Sequence, residues 1–466
     1  MVHPFIRSKK ALAAALSLSL VAALPAQALA AEAAAKPISS PSAAAHPSSS
    51  KAALTENYAL FLQDKFGIQF DSSPTRGSFI LALVTALELT AKSEDAAADT
   101  DESRLASAIE ALRKNGIVST TDIQADQALT SLQAVFLAVK AAELKELAYT
   151  YPKEKAAASL KRAKLNLAQF GTLTAAQEVA AAIDTGLVDP AFYNQLSPGT
   201  KASAAFSAAL LGRVLEAKGL YKHYLGETSD YDIYAKLTDA YRTSDILDGG
   251  ELEEIASGAL KQGLVTGYNL KDSRYDANFV DALSLTYGHS DLKHAIQLIG
   301  LLRSEGIDAK VQFEPKTSAF VHLIEWGEPQ PSEDYQYEKL DNGNYIASAK
   351  EYDIAFEFET AADKERFQPV ILKYAKKNSE DAQGLISGSW WQPLYYSHTK
   401  LADYDVITNN KLLGDGYVYA QSFSLNKDSA AVIAGFKKLN PNANVISYEF
   451  WVDHPFHNYL TGESHL

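Results

Sequence analysis

The spacing of hydrophobic residues divides the chain into a helical half and a half of alternating character. From about Thr55 to Leu270, apolar residues recur three and four positions apart, as on one face of a helix, and Gly and Pro separate the segments. From about Tyr345 the pattern alternates and becomes rich in Tyr, Phe, Val and Trp, which is typical of strands. The pattern predicts an α+β protein whose N-terminal region is all-α.

The alternating half is predicted to contain two β-α-β units. This order is that of a ferredoxin-like domain, which we assign to residues 341–466, and residues 226–340 form a helical to α/β connecting region before it. The predicted elements, strands and helices together in chain order, are 346–359, 361–377, 385–397, 417–424, 428–439 and 445–452.

A repeated unit organises the helical half, residues 55–225. Each copy has a helix that ends in Gly followed by Ile or Leu, a short polar loop, and a second helix with Ser or Thr near its start. Gly supplies the left-handed residue that a C-terminal cap needs, and a Ser or Thr hydroxyl accepts from the free N–H groups of the next helix. Helical hairpins are therefore expected after Gly67, Gly116 and Gly186, with a fourth copy at 251–303 around Gly263.

The unit resembles a degenerate S-layer homology domain. Residues 74–83, which include Thr75 and Arg76, match the second half of the family pattern best, and residues 111–118 match the first half. In that family three units bundle together and bind pyruvylated wall polysaccharide, with the arginine of a "TRAE"-like motif on the anionic ketal. The resemblance implies that Thr75 and Arg76 contact such a ligand, although no other copy carries the arginine. Generic helical hairpins that share only their capping chemistry are the alternative.

Residues 288–326 resemble the core of transglutaminase-like hydrolases, most closely at 301–307 (LLRSEGI). Ser290 stands near the position of the family's nucleophilic Cys, and His322 follows in a predicted strand, as the family's His does. The chain has no cysteine, and a serine nucleophile would also need an orienting group and an oxyanion hole. A hydrolase or acyltransferase built on Ser290 and His322 is an alternative hypothesis; we assign no catalytic residue and favour a non-catalytic role.

Aromatic side chains are dense near the C-terminus. Trp390, Trp391, Tyr395 and Tyr396 are candidates for a flat platform on which sugars or peptides stack. Because successive strand residues point to opposite faces, half of them must instead face the core.

Composition excludes several classes of protein. The 466 residues include no cysteine, which excludes disulfides, a thiolate nucleophile and Cys-ligated metals. A net charge of −14 argues against general nucleic-acid binding, which requires clustered Lys and Arg. No phosphate-binding or dinucleotide-binding motif is present, so no cofactor or metal is predicted.

Residues 1–30 have the pattern of a secretory signal peptide, with Arg7, Lys9 and Lys10 before an apolar stretch and an A-x-A site at 28–30. Its removal leaves 40 basic against 57 acidic residues, a net charge of −17. Residues 31–54 are mostly Ala, Ser and Pro, which predicts a flexible linker. No later stretch is apolar enough to span a bilayer, so a mature chain without a membrane span is expected.

These patterns together predict a secreted protein of a Gram-positive bacterium, extracellular or associated with the cell wall. The expected role is non-catalytic binding or scaffolding at the envelope, with wall polysaccharide or an envelope protein as partner. A purely structural role at the envelope or the spore surface is a further alternative.

Overall fold

A computed structural model describes residues 51–89, 100–374 and 394–463. Helices form the N-terminal part, and a closed barrel of eight antiparallel strands follows. The barrel overturns the predicted fold class, because the C-terminal part is not a ferredoxin-like α+β domain. The expectation of an N-terminal helical part agrees with the structure.

The N-terminal helices share one hydrophobic core, in which Phe61, Phe79 and Leu211 are almost completely buried. Their bounds are α1 Lys51–Phe66, α2 Arg76–Ala86, α3 Asp101–Lys114, α4 Ser131–Ala141, α5 Lys145–Tyr149, α6 Lys153–Arg162, α7 Leu173–Asp184 and α8 Ala204–Ala217.

Glycine caps produce three helical hairpins in this part. Gly67, Gly116 and Gly186 follow α1, α3 and α7 with φ values of +65°, +69° and +73°, a conformation that costs glycine little. The next long helices along the chain are α2, α4 and α8, which makes the hairpins α1–α2, α3–α4 and α7–α8. Between the second and third hairpins, α5 and α6 interrupt the repeat.

The remaining helices and strands belong to the barrel and its surroundings. Their bounds are β1 Gly226–Glu227, α9 Ile233–Thr243, α10 Glu251–Lys261, β2 Gly267–Asp272, β3 Ser284–His289, α11 Leu292–Ser304, β4 Ala309–His322, β5 Tyr335–Lys339, β6 Tyr345–Phe358, α12 Ala361–Tyr374, β7 Leu394–Ser397, β8 Tyr404–Leu413, β9 Val418–Ser424, α13 Ser429–Leu439, β10 Asn444–Asp453 and α14 His454–Thr461.

The fourth predicted copy of the hairpin, at 251–303, is not one. Gly263 follows α10 with φ +66°, as the cap predicts, but the chain then enters β2 rather than a second helix. The cap therefore marks the end of a helix without determining what comes next.

The barrel closes through the order β4-β2-β9-β8-β10-β7-β3-β6, with β6 pairing back to β4 along the full length of both strands. All pairings are antiparallel. The short strands β1 and β5 add to β4 and β6 outside this ring.

The prediction of a ferredoxin-like domain at residues 341–466 is wrong, because strands before residue 341 complete the sheet. The predicted elements that correspond to β6, α12, β9, α13 and β10 lie close to their expected positions. However, β2, β3 and β4 join them in one ring, and β8 was not predicted. The inward faces of β2 and β4 carry buried Lys271, Glu314 and Lys316, whereas charged strand residues ordinarily indicate a solvent-facing side.

Helices cover the outside of the barrel. One core cluster lies where α9, α11 and α12 pack on β3, β4 and β6, and a second where α10 and α13 pack on β2, β8 and β9. By contrast, Phe456 and Leu460 of α14 pack against Phe450 and Ile407, which the strand register places on the same inward face as Tyr396. No helix in the described part of the chain is long and apolar enough to cross a membrane.

Candidate functional site

The N-termini of α2, α4 and α8 meet at one place in the helical part. Each of these helices begins with a side-chain cap: Thr75 accepts from the N–H of Ser78, Thr130 from Gln133, and Ser203 from Phe206. Such caps are typical of Ser and Thr at this position, so the predicted helix starts at Thr75 and Thr130 agree with the structure. The predicted third start near residues 196–198 instead lies at Ser203.

Backbone hydrogen bonds join the three helix starts. The N–H of Leu129 donates to the carbonyl of Pro74, and the N–H of Ala202 donates to the carbonyl of Leu129, both at 2.9 Å. Short bridges pair Thr75 with Ala128 and Thr130 with Lys201. We call this place, formed by residues 74–78, 123–131 and 200–203, the helix junction.

Arg76 is the first residue of α2 and lies at the helix junction. Its Nη1 donates to the carbonyl of Ile123 at 3.1 Å and lies 3.4 Å from Oε1 of Gln124. Its Nε is buried and has no hydrogen-bond partner among the described residues. The guanidinium is therefore held in place by the 123–124 loop while part of its donor capacity is unused.

The positions equivalent to Arg76 carry no charge in the other two hairpins. They are Ser131, directly after the cap Thr130, and Ala204, directly after the cap Ser203. Ser131 is fully buried, and its hydroxyl oxygen has no hydrogen-bond partner in the described part of the chain. The helix junction thus combines three helix N-termini, which carry positive partial charge, with two cations, Arg76 and Lys201, and one carboxylate, Asp126.

The structure does not bring Ser290 and His322 together. His289, beside Ser290, pairs with Tyr352 of β6, whereas His322 pairs with Tyr345 of the same strand. Those positions are roughly 23 Å apart at about 3.3 Å per strand residue. The pair has no hydrogen-bond geometry, so the structure offers no support for a nucleophile–base dyad.

A buried histidine pair lies beside Ser290 instead. Nε2 of His289, at the end of β3, is 2.9 Å from Nδ1 of His294 in α11. Nδ1 of His289 accepts from the N–H of Asp291 at 2.8 Å. Burial lowers the pKa of His289 to about 3, so the ring is neutral at pH 7. The histidine pair is therefore a structural contact that packs β3 against α11.

Two of the four predicted platform residues are buried. Tyr395 is 3% exposed and packs on Phe367 and Tyr287, and Tyr396 is 7% exposed and points into the barrel. Neither ring is available for stacking with a ligand. Trp390 and Trp391 lie outside the described residues.

Paired charges fill the centre of the barrel. Nζ of Lys271 lies 2.5 Å from Glu314 and 2.9 Å from Asp353. Nζ of Lys316 lies 2.8 Å from Asp353 and 3.4 Å from Glu351. Burial raises the pKa of Asp353, but the charges of the two lysines outweigh it and hold that pKa at about 2. Each lysine of this network is paired with two carboxylates, which is the arrangement expected of a packed polar interior.

An exposed aromatic cluster was missed at the sequence level. The ring of His322 contacts the rings of Trp326, Tyr337 and Tyr345, with centroids 5.3 to 6.3 Å apart. Trp326 is 46% exposed. The signal for this cluster in the sequence was Trp326, followed by Gly, two Pro residues and the alternating Tyr335-Gln336-Tyr337.

Comparison with family models, curated proteins and solved structures finds no match to this chain. Within the described residues, no group of three or more His, Cys, Asp or Glu side chains is arranged to hold a metal ion. The geometry of the helix junction is therefore the basis for a functional proposal.

Proposed function

We propose that this protein is a non-catalytic, envelope-associated binding protein whose helix junction holds an acidic group of a wall polysaccharide. The observation that carries the proposal is the meeting of three capped helix N-termini at the helix junction, with Arg76 as the first residue of one of them. Helix N-termini favour anions through their dipoles. The first N–H groups of α2 already donate to Gln127, Ala125 and the Thr75 hydroxyl, so the direct contact has to come from a side chain.

Arg76 supplies the specific contact. A guanidinium presents a planar fork of donors that matches a carboxylate, and the carbonyl of Ile123 already orients this one. The side chain is partly exposed and its hydrogen bonds to described residues use Nη1, so Nη2 is the donor that an incoming carboxylate would meet. In the S-layer homology family, which the hairpins resemble, the corresponding arginine binds the ketal of pyruvylated wall polysaccharide.

The number of arginines sets the expected stoichiometry. Ser131 and Ala204 occupy the positions equivalent to Arg76, and neither can pair with a carboxylate as a cation does. We therefore expect one arginine-bound acidic group per chain at the helix junction.

A signal peptide at residues 1–30 would export the chain, which binding at the wall requires. The separation of Ser290 from His322 argues against the hydrolase alternative. We therefore favour the non-catalytic role.

Co-sedimentation with purified Gram-positive cell walls tests the proposal. The wild-type protein should sediment with the walls, and Arg76→Gln should lose about tenfold in affinity, because a charge-assisted bidentate contact contributes more than about 1.4 kcal/mol. Arg104→Gln is the matched control, because Arg104 lies on the exposed face of α3 with 59% of its side chain exposed.

Equal loss of binding in both variants would show that the walls respond to net charge alone. Unchanged binding of Arg76→Gln would show that the helix junction does not hold the acidic group. Circular dichroism of each variant checks that the helices remain folded.

A further inference from the structure

The strand β5 has an open edge. It pairs with β6 on one side, and no described strand pairs with its other side. An exposed strand edge presents unpaired N–H and C=O groups to which another strand can add.

The register identifies the backbone groups that face outward. The N–H of Lys350 donates to the carbonyl of Asp334, and the N–H of Leu340 donates to that of Asn344. Because hydrogen-bonded and non-hydrogen-bonded pairs alternate in an antiparallel ladder, Tyr337 and Lys339 direct their N–H and C=O groups away from β6. Tyr335 is also odd-numbered, but its groups already pair with Ser332 in a turn.

Tyrosine rings line one face beside this edge. Tyr335 and Tyr337 stack with centroids 6.2 Å apart and planes 11° apart, and both rings are partly exposed. Aromatic faces of this kind attract the guanidinium or ammonium group of a side chain.

The surroundings of β5 are strongly acidic. Residues 323–344 contain six carboxylates and one lysine, Lys339. Among the described residues, only Glu338 of these carboxylates forms an ion pair, with Lys261 of α10 at 2.7 Å. The five others are Glu325, Glu328, Glu333, Asp334 and Asp341.

We propose that the edge of β5 binds an extended, basic peptide segment of another protein. The segment adds as a short strand beside Tyr337 and Lys339, and its Arg or Lys side chains lie against the tyrosine rings and the carboxylates. Charge selects this occupant over a second copy of the chain, because pairing two β5 edges would bring two acidic segments together. The proposal is independent of the helix junction.

Binding of an octapeptide of alternating Arg and Val, measured by fluorescence anisotropy with the full chain, tests this surface. It should bind at about 50 mM salt and weaken severalfold by about 500 mM, because exposed charges are screened. The matched octapeptide of alternating Glu and Val should not bind.

Two substitutions of one residue separate strand pairing from charge. Lys339→Pro removes an outward N–H and a repelling cation, and proline is tolerated on a strand edge. Lys339→Ala removes the same cation and keeps the N–H. We expect Lys339→Pro to bind the basic peptide about tenfold more weakly than Lys339→Ala, while Lys339→Ala binds at least as tightly as wild type.

Any of the following results would overturn the proposal: equal affinity of the two variants, equal binding of the basic and acidic peptides, or no binding of either peptide to wild type. Competition by spermine as effective as by the basic peptide would show that only charge is recognised, which also contradicts strand addition. Urea midpoints of both variants establish that the barrel remains folded.

Discussion

Replacing Asp353 by Asn tests whether the charges inside the barrel stabilise it. The carboxylate of Asp353 accepts from Lys271 at 2.9 Å, from Lys316 at 2.8 Å and from the hydroxyl of Tyr396 at 3.1 Å. Asn preserves the shape of the side chain and removes the charge. Both ammonium groups then lose part of their compensation in an interior that excludes water.

The magnitude follows from the pKa of Asp353, which is about 2 in the folded protein and ordinarily 3.8. Burial acts to raise it, and the two lysines more than offset that effect. A difference of about two units corresponds to about 2 to 3 kcal/mol. Because the folded pKa is depressed, this stabilisation is complete above about pH 4 and is lost as the pH falls toward about 2.

Urea unfolding followed by circular dichroism measures the effect. Asp353→Asn should lower the free energy of unfolding by about 2 to 3 kcal/mol at pH 7, and by less near pH 3. Asp239→Asn, which removes an exposed ion pair with Arg242, is the control and should cost less than about 1 kcal/mol. A loss below about 1 kcal/mol for Asp353→Asn, or a loss independent of pH, would refute the reasoning.

Two further substitutions give predictions of opposite sign. Burial raises the pKa of Asp453 to about 8, so wild type loses stability as the pH rises from about 4 to about 8. Asp453→Asn should therefore unfold at a higher urea concentration than wild type at pH 8 and at a similar concentration near pH 4. Parallel pH profiles of the two urea midpoints would contradict this. A Cβ at Gly212 would overlap the ring of Tyr58, so Gly212→Ala should cost about 1 to 3 kcal/mol in a thermal melt, whereas Gly416→Ala, in open space, should cost little.

The helical hairpins could be predicted because their signals are local. Gly67, Gly116 and Gly186 each end a helix within a few residues of the apolar run they follow, and Thr75 and Thr130 cap the next helices. Capping depends on neighbouring residues only, so a single sequence carries the information.

Closure of the barrel could not be predicted in the same way. It depends on pairing of β4 with β6 and of β2 with β9, and the latter strands are about 150 residues apart along the chain. The inward faces of these strands are polar, with Lys271 paired to Glu314. The resulting alternation resembles that of a sheet with one side in solvent, so it does not reveal that the polar side is the inside of a barrel.

The candidate site was predictable in part. The Thr75-Arg76 pair stands out in the sequence, but the meeting of its helix with those of α4 and α8 does not. The intervening α5 and α6 displace the third hairpin along the chain, and the third cap, Ser203, lies beyond the expected start. The separation of Ser290 from His322 likewise depends on strand register, which is a long-range property.

The central claim is that the helix junction binds an acidic group of a wall polysaccharide through Arg76. The most direct measurement is calorimetric titration of the wild-type protein with purified pyruvylated wall polysaccharide, and with the same polysaccharide after mild acid has removed its ketals. We expect binding of about one ketal-bearing site per chain and a loss of at least about tenfold in affinity without the ketals. Equal affinity for the two polysaccharides would contradict it.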